Sequence, residues 1–169
     1  LNSDWVKAGY ARGVPMGGDL KPGKGRAPVF MISALKDAAG ANLDRVQIVK
    51  GWVDKAGKAH ERIFDVAWSN ADTRPIGRNG KLAPVGDTVD IATATYANSI
   101  GAPELRTIWR DPSFNPKAKA FYYARILEIP TPRWPAYDVA RFGGKLVSGV
   151  IYKSQERAYT SPIWYTPST

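Results

Sequence analysis

Glycine and proline interrupt this chain so often that long helices have little room in it. There are 16 glycines and 13 prolines among 169 residues, and both residues punctuate turns and loops more readily than they sit inside regular elements. What lies between them is a series of short runs of strand length. Residues 29–35 form one. Residues 43–53 form a second, and the turn Asp54-Lys55-Ala56-Gly57-Lys58 joins it to a third over 61–69, where Phe64, Val66 and Trp68 share a face. Strand, glycine turn, strand is a hairpin signal.

After a polar loop over 69–86, the β-branched stretch 88–95 predicts a fourth strand. Residues 105–109 predict a fifth. The prolines at 112 and 116 make 111–116 a loop. The longest clean run, 121–129, carries bulk on both faces, as a central strand does, and Pro130 and Pro132 are expected to end it. Residues 137–142 allow one or two helical turns, and 161–165 predict a last strand. About seven short strands without an amphipathic helix imply an all-β fold, an antiparallel β-sandwich of immunoglobulin-like type with long Gly/Pro-rich loops. The expected division is a sandwich domain over 29–169, preceded by a loop-rich linker over 1–28 that would pack on a missing N-terminal domain.

An apolar fraction of 44%, with 6 Trp, 8 Tyr and 5 Phe, is enough for a packed core and excludes a disordered chain. There is no cysteine, which removes disulfides, thiolate nucleophiles and Cys-ligated metals. No apolar run approaches the ~18 residues of a bilayer span, and no signal peptide is visible. The chain opens Leu1-Asn2-Ser3-Asp4 without an initiator Met, so upstream sequence in a longer parent is expected. A formal charge of +9 favours anionic partners, but no nucleic-acid-binding motif accompanies it, and neither nucleic acid nor membrane is expected as a partner.

Few residues invite a chemical reading. Gly17 and Gly18 before Asp19 would let backbone N–H groups approach an anion, although a plain turn is the commoner use of such a pair. Lys21, Lys24 and Arg26 follow in a basic loop that could steer an anionic substrate; Arg74, Arg78 and Lys81 form a second basic loop. Trp52 ends a strand, and Arg133 with Trp134 follows the longest one. Aromatics so placed stack on sugars or bases, or more often close a core. His60 is the only histidine and reads as a strand-end residue, since a catalytic triad or a hydrolytic zinc site needs partners this chain does not offer nearby. Asp87 with Asp90, and Asp111 with Ser113 and Asn115, are incomplete calcium patterns. No catalytic residue, metal ligand or cofactor is therefore assigned within this chain.

Several blocks are familiar as a set: GVPMGGDL at 13–20, ANLDRVQIVKGW at 41–52, FDVAWS at 64–69, FYYARILEIPTPRW at 121–134 and RAYTSPIWYTP at 157–167. Together they resemble, in order and over nearly the whole chain, the C-terminal part of a bacterial domain-of-unknown-function family numbered 3604. The resemblance implies a parent several times longer, related to the polymerase-and-histidinol-phosphatase type of metal-dependent hydrolase. The His- and Asp-rich motifs of that hydrolase, and its divalent metal, would lie upstream, and none of them matches a position here. It also implies an exported, periplasmic parent. The expectation is then a non-catalytic accessory domain whose partner is the N-terminal hydrolase domain of the same parent. The alternative is a carbohydrate- or polyanion-binding β-sandwich module.

Overall fold

In a computed structural model of the chain, residues 4–21 and 25–167 are described. The elements are helix α1 (Trp5–Arg12) and strands β1 (Asp19–Leu20), β2 (Val29–Leu35), β3 (Leu43–Val53), β4 (Ala59–Trp68), β5 (Glu104–Arg110) and β6 (Ala120–Pro132). Helix α2 (Trp134–Phe142) and strands β7 (Lys153–Tyr159) and β8 (Ile163–Tyr165) complete them. The protein is mostly β and builds two sheets.

The larger sheet runs β1-β8-β6-β3-β4, with β7 also on β6. Strand β6 is its axis. One side pairs with β3 from Glu128 to Ala120, and the other is shared in series by β8 over Ala120–Tyr122 and β7 over Arg125–Pro132. At the joint between them Thr160 bonds Ala124 twice, donating its N–H to the Ala124 carbonyl at 3.0 Å and accepting the Ala124 N–H at its hydroxyl oxygen at 2.9 Å, so the strand change leaves no gap in the ladder.

The smaller sheet is the antiparallel ribbon β2–β5, in register from Val29↔Arg110 to Leu35↔Glu104. It covers one face of the larger sheet. Phe30 from the ribbon packs on Ile48, Tyr122, Ala124 and Tyr165, with Ile32 and Trp109 beside it. Leu105 packs on Leu43 and Val46. The alternation that puts Val46 and Ile48 inward is the period-two signal legible in the sequence.

One long connection, the loop between β4 and β5, is pinned twice at the start of β3. Asn42 donates its backbone N–H to Asn98 Oδ1 at 2.7 Å and its side-chain amide to the carbonyls of Asn98 and Ile100, fixing the loop between β4 and β5 at its far end. Asp44 stands at a register irregularity between Leu43 and Arg45, and its fully buried carboxylate pairs with Arg74. Arg74 in turn donates to Ser69 O, Ser69 Oγ and Ala83 O, which holds the near half of the same loop.

The β3–β4 hairpin forms as expected. Asp54 Oδ1 accepts the N–H groups of Ala56 and Lys58, both at 2.9 Å, and Gly57 supplies the positive φ of 81° that this turn requires. Three expectations need correcting, and one strand escapes prediction. Residues 88–95 are not a strand but a turn closed by the bridge Asp90↔Thr95, because Asp87 and Asp90 capture the N–H groups of Val89, Ala92 and Thr93 and outcompete β propensity. Pro130 does not end β6, which runs on to Pro132 and stops there. There β3 has already stopped, and a register shift relaxes the pairing with β7, the setting in which strands tolerate proline. The polar strand β7 lacks the apolar alternation that would reveal it. Within the loop-rich first 28 residues, α1 and β1 are regular elements of the described part, and β1 joins the large sheet. It does so parallel to β8, so the sheets are not wholly antiparallel.

Gly101 shows how tightly the start of β3 is packed. Its φ is +78°, and an added Cβ would lie 2.7 Å from both Asn42 Cβ and Ile129 Cγ2. Gly101→Ala is expected to lower stability by about 2–4 kcal/mol through backbone strain and overpacking together, read as a lower urea midpoint with an unchanged m-value.

Candidate functional site

Continuing inward along β3 after Val46 and Ile48, the next position on the core face is a lysine. Lys50 is 4% exposed, and its neighbours Asp111 and Tyr122 are 2% and 1% exposed. The three come from β3, the end of β5 and β6. Lys50 Nζ lies 2.6 Å from Asp111 Oδ2 and donates to Ser113 O at 2.8 Å. Tyr122 Oη donates to the same Oδ2 at 2.8 Å. The other carboxylate oxygen accepts the N–H of Ser113 at 2.8 Å and its hydroxyl at 3.1 Å. Both oxygens are thus fully engaged.

Burial pushes the Asp111 carboxyl upward, but the bonds from Lys50, Ser113 N–H and Tyr122 outweigh it and hold the group below its ordinary value. Burial, joined by the bond to Asp111, pushes the Tyr122 phenol well above its ordinary value, so it remains a proton donor. Charge is matched and lone pairs are filled. A nucleophile or a general base needs a group left free to react, and this cluster leaves none among Lys50, Asp111 and Tyr122.

Beside the cluster a cavity of about 150 Å³ is lined by Lys50, Trp52, Arg62, Ser113, Asn115 and Tyr122, among others. Trp52 stacks on His60 with ring centroids 5.2 Å apart, and Lys50 Nζ sits 5.3 Å from the Trp52 centroid. His60 Nε2 meets Asp54 Oδ2 at 2.7 Å, and this bond, before others, holds Asp54 below its ordinary value.

Of the residues singled out in the sequence, Trp52, Ser113 and Asn115 line this cavity. Gly17 donates its N–H to Pro162 O and Gly18 to Pro15 O, both at 3.1 Å, while Gly18 O accepts from Trp164. The Gly18 N–H thus closes a turn within the 13–20 segment, while the Gly17 N–H and the Gly18 carbonyl fasten that segment to Pro162 and Trp164. Asp19 lies in β1, Lys21 and Arg26 are exposed, and Lys24 lies outside the described residues. Arg133 and Trp134 stand at the start of α2, with Trp134 largely exposed and apart from Trp52. Trp68 Nε1 is buried without a partner among the described residues. Asp87 pairs with Lys153, which holds its carboxyl below the ordinary value, and Asp90 serves its turn. Among the described residues, no group of three or more His, Cys, Asp or Glu side chains is placed to hold a metal ion, and no helix is long and apolar enough to cross a membrane.

Lys50 escaped the sequence reading, although its signal was present. In Val46-Gln47-Ile48-Val49-Lys50-Gly51-Trp52 the lysine falls on the apolar phase of the strand, and a lysine there must find an anion in the core. Asp111 was noted in the sequence, but as part of an incomplete calcium pattern.

A two-sheet β domain with a paired lysine in its core is the class that fold and site define. The sequence profile described as Protein of unknown function (DUF3604) matches residues 1–167, and the chain belongs to that family. No curated protein and no solved structure matches the chain.

Because the Asp111 carboxyl is held below its ordinary value of 3.8, its contribution to stability is complete above that value and is lost as pH falls through the depressed one. Chemical denaturation between pH 7 and pH 2 should show a flat plateau and then an acid loss. In Asp111→Asn the plateau should drop, because Lys50 is left without its counter-charge, and the Asp111 share of the acid limb should disappear.

Proposed function

We propose that this chain is a non-catalytic accessory domain, an immunoglobulin-like sandwich of unequal sheets within a larger bacterial protein. In this reading the partner is an upstream, metal-dependent hydrolase domain of the same exported chain, which holds the divalent metal and the active site. The carrying observation is the segment 141–150, exposed at all ten residues. It includes Phe142, Leu146, Val147 and Val150, and exposed Ile151 follows. Contiguous apolar surface of this kind marks an interaction site. Its placement at the end of α2 and in the connection towards β7, outside both core clusters, suits docking against a neighbouring domain.

In a chain that also contains the upstream domain, Leu146→Asp with Val147→Asp should loosen the contact. Hydrogen exchange in 141–151 should rise, while the isolated domain keeps its stability within about 0.5 kcal/mol, as surface changes do. Unchanged exchange in the longer chain, or bound metal and phosphoesterase turnover in the isolated domain, would count against the reading.

A second reading, a carbohydrate- or polyanion-binding module, is favoured by an aromatic row on the outer face of the large sheet. Trp164, Phe121 and Tyr123 follow one another at centroid spacings of 5.3 and 6.4 Å, and Tyr159 lies 6.1 Å beyond. Trp164 and Tyr159 are exposed, and such faces stack on sugar rings. Retention of the domain on insoluble glycan should then fall on Trp164→Ala and survive high salt; retention that salt abolishes would leave only nonspecific charge.

A further inference from the structure

We infer that the cavity beside Lys50 binds a small oxyanion: sulfate, phosphate, or the sulfate or phosphate group of an ester. The assignment depends on neither reading above. Alternate residues of a strand face opposite ways, so Lys50, Trp52 and Tyr122 lie on the core side, away from the aromatic row of Phe121 and Tyr123.

Charge is the first ground. Lys50 and Arg62 are direct cross-strand partners in the β3–β4 ladder, and like charges so placed repel. Asp111 neutralises Lys50. Arg62 has no carboxylate partner and no side-chain hydrogen bond among the described residues; its guanidinium lies over the Phe64 ring at 4.8 Å. Two cations against one carboxylate leave the cavity wall with a positive surplus, and an anion between them would relieve the repulsion.

The second ground is the hydrogen-bonding inventory. Every carboxylate oxygen at the cavity is occupied, as is Asn115 Oδ1, which accepts from Lys117 N–H at 3.0 Å. The side-chain groups without a close partner among the described residues are donors. They are the Arg62 guanidinium, the Asn115 amide nitrogen, the Trp52 indole N–H and a Lys50 proton with only the 3.4 Å contact to Ser113 Oγ. A wall whose side chains without a partner are donors suits a ligand rich in acceptors, and guanidinium suits oxyanions in particular. The volume of about 150 Å³ suits one such group and excludes a sugar chain.

The test is titration of the whole chain with inorganic sulfate and with inorganic phosphate at constant ionic strength, chloride making up the balance, followed by NMR of the backbone and indole N–H groups. Saturable shifts at Trp52 and 113–115 are expected. Arg62→Gln, at an exposed position, should weaken binding at least about tenfold, the scale of one charge-assisted bond. Arg157→Gln on β7 should leave binding unchanged. Should Arg62→Gln fail to fold, Asn115→Asp on the exposed loop puts a negative charge at the same cavity and should abolish binding. A sugar sulfate that binds more tightly than free sulfate assigns the ligand to an ester, and equal binding assigns it to the free anion. Absence of saturation beyond the chloride control, equal loss in the Arg62 and Arg157 variants, or full binding in Arg62→Gln or Asn115→Asp would each overturn the inference.

Discussion

The buried carboxylate of Asp44 is the constraint on which most of this architecture depends. A fully enclosed charge is stable only when it is paired and its lone pairs are filled. Asp44 recruits its partners from four separate segments: Arg74 from the long loop, Arg45 from its own strand, Gln155 from β7 and, through that same amide, the Glu128 carbonyl of β6. Removing one member would leave the others unsatisfied in a low-dielectric interior, which costs about 3–5 kcal/mol for a buried pair. Loop, sheet centre and sheet edge are thereby committed to one arrangement, and a loop with almost no regular structure acquires a fixed path.

The Lys50 cluster follows the same logic at the other end of β3. Its carboxylate also comes from a distant segment, and Tyr122 reinforces it from β6. The difference is in what remains. Around Asp44 the spare valences of Arg45 pass on to Asp65 and, through Gln47, to Arg125, so donors and acceptors are consumed in a chain across the sheet. Around Lys50 the chain stops at a cavity with unspent donors. The first is a fastening; the second is a fastening with an opening beside it.

How much of this was legible depended on whether the signal was local. The hairpin was readable because Asp54 and Gly57 sit within five residues of each other. The ribbon strands and β6 were readable from their apolar runs. The strand expected over 88–95 failed because short-range side-chain bonds from aspartate decided the backbone. Strand β7 was hidden because its residues, KSQERAY, earn their place by pairing with β6 and not by burial. Of the candidate site, Trp52 was visible as a strand-end aromatic, whereas Lys50 and Arg62 required knowing that β3 and β4 align them and that Asp111 returns to meet the lysine. Such encounters are properties of topology, which a single sequence states only indirectly.

The parallel pair of β1 and β8 joins positions near opposite ends of the described chain, Asp19 with Trp164 and Leu20 with Tyr165. Ladder contacts between remote positions form late, since the intervening chain must first be confined. During synthesis the hairpin can close as soon as it leaves the ribosome, but β6 keeps an unpaired lower edge until β8 emerges, and β1 waits until then as well. Until that moment Ala120–Tyr122 offers an open ladder to any other strand within reach. The interval between translation of β6 and arrival of β8 is therefore a period in which a nascent copy is exposed to wrong pairing.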